Sequence, residues 1–140
     1  MIQGATKKQE DFLRKKYEEL ISAQFIKFSE LTPSKVPIAE GVYVITKKYG
    51  SRELPYYVGR TKNLRQRLYN NHLMGPPSNA RLKKHLVAHE ECSNHAEAKA
   101  FLRKKCRVRW ILQKGFKERG AIEGYVTGLL FPKYGIYEEH

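Results

Sequence analysis

Over Lys7–Phe28 the apolar residues Leu13, Tyr17, Leu20, Ile21 and Phe28 recur at helical spacing, with Phe25 and Ile26 widening the stripe, so the pattern predicts an amphipathic helix. Thr32-Pro33-Ser34 and Pro37 end it and form a short linker. From Gly41 to Thr46 the period changes to two, with Val42 and Val44 alternating against Tyr43 and Ile45, which predicts a strand. Tyr49-Gly50-Ser51 marks a turn, and Pro55 to Arg60 reads as the returning strand of a hairpin. Helical spacing returns over Thr61–Leu73, with Asn63 as its cap and Leu64 and Leu68 on one face, until Met74-Gly75-Pro76-Pro77 breaks it. Ser78 or Asn79 caps a helix running to about Glu90, and Asn94 with Glu97 has the capping-box spacing that opens another. Cys106 to Gln113 alternates Cys106, Val108, Trp110 and Leu112 against Arg107 and Arg109, a strand; Phe116 to Leu130 is a helix stopped by Pro132. The order predicts an α/β (α+β) fold, a small three-stranded antiparallel sheet flanked by helices, with an extra N-terminal helix. Residues 1–35 are read as that helix and its linker, and residues 36–140 as the main domain.

A length of 140 residues suits one such domain without disulfide staples. Charge changes the picture more. Twenty-seven Lys and Arg face fourteen acids, a net +13, and Asp11 is the only aspartate. Such an excess repels itself within a compact fold and attracts polyanions, so nucleic acid is the expected partner. The first residues carry no signal-peptide pattern and no window is long and apolar enough to span a membrane, so a cytoplasmic protein with no membrane partner is expected. Cys92 and Cys106 form no disulfide framework.

The chemistry sits in the hairpin and the segment after it. Gly41-Val42-Tyr43 lies on the first strand and Tyr57-Val58-Gly59 on the second, followed by Arg60-Thr61-Lys62-Asn63-Leu64-Arg65-Gln66-Arg67 and then Asn71-His72. Arg67 falls ten residues after Tyr57, while Glu123 lies in an apolar helix with Pro132 nine residues on. In order, spacing and placement this resembles the GIY-YIG nuclease family over roughly residues 40–135. The resemblance implies a metal-dependent endonuclease that hydrolyses DNA phosphodiester bonds. Tyr43 would act as, or orient, the general base, with nearby arginines favouring its phenolate; Tyr57 would position water or phosphate, and His72 would share the proton work. Two departures stand out. The family histidine falls four residues after the arginine, where this chain has Asn71, so either Asn71 or His72 fills that place; the family's terminal asparagine is Gly135 here.

The residue types fit that chemistry independently. Arg67 offers a planar fork matched to phosphate oxygens. A lone carboxylate, Glu123, suffices for one Mg²⁺ or Mn²⁺ whose other positions are water and phosphate. A site of several converging aspartates is disfavoured by composition. Arg60, Lys62 and Arg65 extend the basic surface, and Arg103, Lys104, Lys105, Arg107 and Arg109 form a second basic group, so Arg60, Lys62, Arg65, Arg107 and Arg109 are expected to contact DNA. Glu123 has a plainer alternative, an ion pair with Arg119 one helical turn back. Competing functions are a non-catalytic nucleic-acid-binding module that keeps the fold and a basic structural protein of a ribonucleoprotein.

Three further patterns carry less. Gly135-Ile136-Tyr137 repeats the family tripeptide without its companions. His85, His89, Cys92 and His95 have spacings a zinc site would use on one continuous helix, but the Ser93-Asn94 cap signal interrupts it. Gly120, Gly124 and Gly128 lie four apart on the last helix, pointing to close approach by the sheet or by DNA. The N-terminal stripe is wider than a dimer seam needs, so it is expected to pack on its own domain as a monomer, with a homodimer through that helix the alternative.

Overall fold

The alternation of Val42 to Ile45 and of Val108 to Ile111 builds two strands with opposite apolar faces, and the sheet is sandwiched accordingly. The structure, a computed structural model, describes residues 1–76 and 78–135. Helix α1 spans Lys7–Ser22, β1 Ile26–Lys27, β2 Gly41–Tyr49 and β3 Arg52–Thr61. A π-helical stretch, Gln66–Leu73, precedes α2 (Arg81–Ala88) and α3 (His95–Lys105); β4 (Cys106–Leu112) and α4 (Phe116–Leu130) complete the order. Every strand pairing is antiparallel and the spatial order is β1-β4-β2-β3.

The sheet therefore has four strands, not the expected three. The first helix ends at Ser22, where Ala23 turns extended (ψ 149°), and Ile26 and Lys27 then pair with Val108 and Arg107 of β4. Phe28 buries its ring in the core beyond them. What read as the end of a helical stripe is an edge strand, because a run of four residues fits either period.

On one face Val42, Val44 and Val58 meet Ile122 and Val126 of α4 and Leu20 of α1, with Phe12, Leu13 and Tyr17 packed around them. Helix α1 thus lies on its own domain and covers α4. On the other face Tyr43, Ile45 and Tyr57 meet Leu64, Leu68, Leu82, Leu86 and Leu102. A bulge between Ile45 and Thr46 leaves Tyr56 unpaired, so Tyr56 and Tyr57, though consecutive, both join this core. The chain after α4 doubles back along the outer edge of β3: Lys133 and Tyr134 donate their backbone N–H to the carbonyls of Pro55 and Tyr56.

Candidate active site

Tyr43 points from the central strand β2 toward β3, and its register partner there is Gly59. A Cβ at Gly59 would lie 2.3 Å from the Tyr43 hydroxyl, so the ring passes directly over the glycine. Tyr43 and His72 are fully buried and Tyr57 is 6% exposed. The Tyr43 oxygen lies 2.8 Å from His72 Nε2 and accepts a 3.2 Å hydrogen bond from Arg67 Nε. The Tyr57 ring stacks on Tyr43 and stands edge-on to His72, with centroids 6.3 and 5.1 Å apart.

Both Arg67 and His72 come from the π-helical stretch, and both reach the Tyr43 hydroxyl. In a π turn the hydrogen bonds run i to i+5, one residue more than in an α turn, as in Met74 N–H to Tyr69 O at 3.0 Å. His72 is therefore carried to the face of Arg67, while Asn71 lines a shallow cleft with Lys62, Gln66 and Arg67 of ≈ 210 Å³. Asn63 caps the start through its side chain to Gln66 N–H at 3.1 Å. Lys83, buried to 1% exposure, closes the far end by donating to the carbonyls of Leu73 and Gly75, both at 2.9 Å. Burial lowers the Lys83 ammonium to about 8.

Across the β3 edge, on the α4 side, the half-buried Glu123 carboxylate lies 3.8 Å from Arg60 Nε. Arg60 extends over Gly120, where a Cβ would come within 2.3 Å of Nη1, and over the Phe116 ring. The alternative pairing of Glu123 with Arg119 is not formed. Arg119 is buried and bonds Glu40 at 2.6 Å instead. Desolvation raises the Glu123 pKa against the attraction of Arg60, so the carboxylate's surroundings undercompensate its charge. That is the electrostatic setting a divalent cation would complete, with water and phosphate as the remaining ligands.

Burial also dominates the titration of the core of the site. It pushes Tyr43 up, the neighbouring Tyr57 adds to this, Arg67 opposes it, and Glu123 adds a smaller push upward. Arg67 favours the phenolate, as expected of the nearby arginines, but burial outweighs it and leaves Tyr43 a phenol at rest. His72 is held far below its usual range, by burial first and then by the positive charges of Arg67, Lys83 and Arg81. It is therefore neutral, and its Nδ1 has no partner among the described residues.

The remaining sequence candidates separate. Lys62 is exposed on the cleft beside Arg67. Arg65 is tied inward, donating to the Val36 carbonyl at 2.8 Å. Arg107 and Arg109 are not brought to the site; both pair with Glu53, Arg109 through two bonds of 2.8 and 2.7 Å, and both lie over the Phe25 ring. Gly135 adopts φ +123°, a conformation that side-chain-bearing residues rarely take, with the Tyr57 ring 3.6 Å from where its Cβ would be, so an asparagine there would be strained. Ile136 and Tyr137 of the repeated tripeptide lie outside the described residues. His85 and His89 stack on Tyr134, and no group of three or more metal-ligating His, Cys, Asp or Glu occurs among the described residues. No helix among them is long and apolar enough to cross a membrane.

Residues 39–127 match the GIY-YIG catalytic domain family. Among solved structures, the GIY-YIG N-terminal endonuclease domain of UvrC from Thermotoga maritima bound to magnesium is similar at 20% identity. That alignment covers 94% of this chain and 100% of that one, with a TM-score of 0.44. A point-mutant form bound to the catalytic divalent cation is similar at 19% identity, covering 94% and 99%, also at 0.44. No curated protein sequence matches the chain.

Proposed function

Because the chain belongs to the GIY-YIG catalytic domain family, we propose that it is a metal-dependent endonuclease that hydrolyses DNA phosphodiester bonds at the site built around Tyr43. The observation that carries this reading is the pair of contacts on one oxygen, His72 Nε2 at 2.8 Å and Arg67 Nε at 3.2 Å from the Tyr43 hydroxyl. A buried phenol is a poor base by itself, since its proton must go somewhere as it accepts another. His72 Nε2, 2.8 Å from that hydroxyl, is the nearest acceptor in its Nδ1–H tautomer, against the burial and positive charges that disfavour its charged form. As Tyr43 takes a proton from the attacking water, its own proton passes to His72 Nε2, and Arg67 stabilises negative charge on the tyrosine oxygen throughout. The hydroxide so formed attacks phosphorus and the opposite P–O ester bond breaks. Arg67, Arg60 and Lys62 offer positive charge to the phosphate, and Tyr57 fixes the Tyr43 and His72 rings by packing.

Glu123 would hold one Mg²⁺ or Mn²⁺, which when bound supplies positive charge for the phosphate and the departing oxygen. Arg60, 3.8 Å away, opposes the desolvation that raises the Glu123 pKa. The opposing reading, a non-catalytic DNA-binding module, predicts none of the proton-transfer geometry around Tyr43. Conversion of supercoiled plasmid to nicked circles, with Mg²⁺ and with chelator, tests the proposal. Nicking is expected only with the metal, and Glu123→Ala is expected to lose nicking while retaining DNA binding. Equal nicking in chelator, or by the Glu123→Ala protein, would remove the metal from the account.

A further inference from the structure

At the end of the strands away from Tyr43, a groove of ≈ 350 Å³ is lined by Lys27, Lys48, Arg103, Lys104, Lys105 and Arg107. Its cations come from four separate elements: β1, the end of β2, the last turn of α3 and β4. Arg107 is its fixed wall, since Glu53 and the Phe25 ring engage its guanidinium. The other five are exposed, and none has an acidic partner among the described residues. Basic residues in the last turn of α3 are accounted for by the helix dipole alone. The dipole does not account for Lys27 and Lys48 converging on the same groove from two strands. Bringing five unneutralised cations together costs self-repulsion, which a bound polyanion relieves.

We propose that this groove is a second DNA-binding surface that grips the phosphate backbone of the substrate duplex beyond the cleavage site. The inference rests on DNA being the substrate. It assigns recognition to a face that the catalytic residues do not touch, and it sets a length requirement. Tyr43 and Lys48 are five residues apart on β2, roughly 17 Å at about 3.4 Å per residue, so a straight duplex must extend at least about five base pairs from the scissile phosphate to reach the groove.

The test is equilibrium binding of the full chain, without metal, to duplexes of increasing length at several salt concentrations. Two variants on different elements are compared with the wild type: Arg103→Ala/Lys104→Ala/Lys105→Ala and Lys27→Ala/Lys48→Ala. Wild-type affinity is expected to step up once the duplex reaches the groove. The triple variant should lose that step and about 2.7 of the slope of log K on log salt, at about 0.9 per phosphate contact, and the double variant should lose about 1.8. Thermal melts confirm that both remain folded, since every substituted side chain is exposed. Variants that keep the length step and the salt slope would overturn the groove while leaving the nuclease reading intact. A wild-type protein with no affinity for any duplex would overturn both, and preference for phosphatidylserine vesicles over duplex would reassign the groove to a membrane surface.

Discussion

Replacing Gly59 with alanine should cripple the enzyme while changing one methyl group. The new Cβ would lie 2.3 Å from the Tyr43 hydroxyl, 2.4 Å from Cζ and 2.8 Å from Cε1. Relief to ordinary contact, about 3.5 Å, requires the ring to move by roughly 1 Å. Tyr43 is fully buried against Tyr57 and His72, so the movement comes from the site itself. A displacement of that size breaks the 2.8 Å contact with His72 or the 3.2 Å bond from Arg67. The cost of overpacking is about 1–3 kcal/mol of stability, and misplacing the reacting oxygen by about 1 Å costs on the order of 10²-fold in rate. Gly124→Ala and Gly128→Ala are the matched controls. Nothing lies within 4 Å of either added Cβ, so each should stabilise α4 by up to about 1 kcal/mol. Single-turnover cleavage at saturating protein, with urea unfolding of the same samples, separates the two effects. A Gly59→Ala enzyme cleaving within about twofold of wild type, under about 0.4 kcal/mol of transition-state free energy, would refute the packing argument.

Other outcomes rest on the same geometry. Gly120→Ala should be milder than Gly59→Ala, because the clash is with the flexible end of Arg60; a several-fold rate loss from displacing Arg60 beside Glu123 is expected in the same assay. His72 stays neutral in the fold, whereas in the unfolded chain it binds a proton below about pH 6.5. Stability should therefore be fully present above that pH and fall below it, by up to about 1.4 kcal/mol per unit from this residue. His72→Phe should lose that part of the acid sensitivity in urea titrations from pH 7.5 to 5, and an identical acid response in the variant would contradict a buried neutral histidine. DNA affinity should fall steeply with added salt, and a nearly flat response would argue against a phosphate-dominated interface.

Much of the site was legible because its members sit at fixed offsets in elements of clear period. Tyr43 and Tyr57 alternate with valines on hairpin strands, and Glu123 lies in a helix closed by Pro132. What escaped depends on contacts distant in sequence or on a local irregularity. The fourth strand exists because Ile26 and Lys27 meet β4 more than seventy residues later, which no short pattern of residues announces. Arg107 and Arg109 look like a DNA face on the strand, yet Glu53, itself in the hairpin, neutralises much of their charge. The π-helical turn that brings His72 to the Tyr43 hydroxyl appears in the sequence only as a one-residue offset. Lys83 had no signal at all: within Arg81-Leu82-Lys83-Lys84 it looks solvated, yet it is buried and holds the end of the turn that carries Arg67 and His72. The phenolate expectation weighed charge without burial, and burial is the larger influence on Tyr43.

The most direct measurement is the single-turnover cleavage rate of Tyr43→Phe with Mg²⁺ supplied, alongside its DNA affinity. The substitution removes one oxygen from a closed core and leaves the ring, so the fold and the basic surface are retained. If Tyr43 passes a proton between water and His72, cleavage should fall by about 10²–10⁴-fold with affinity unchanged. A Tyr43→Phe enzyme that cleaves at the wild-type rate would contradict the account at its centre.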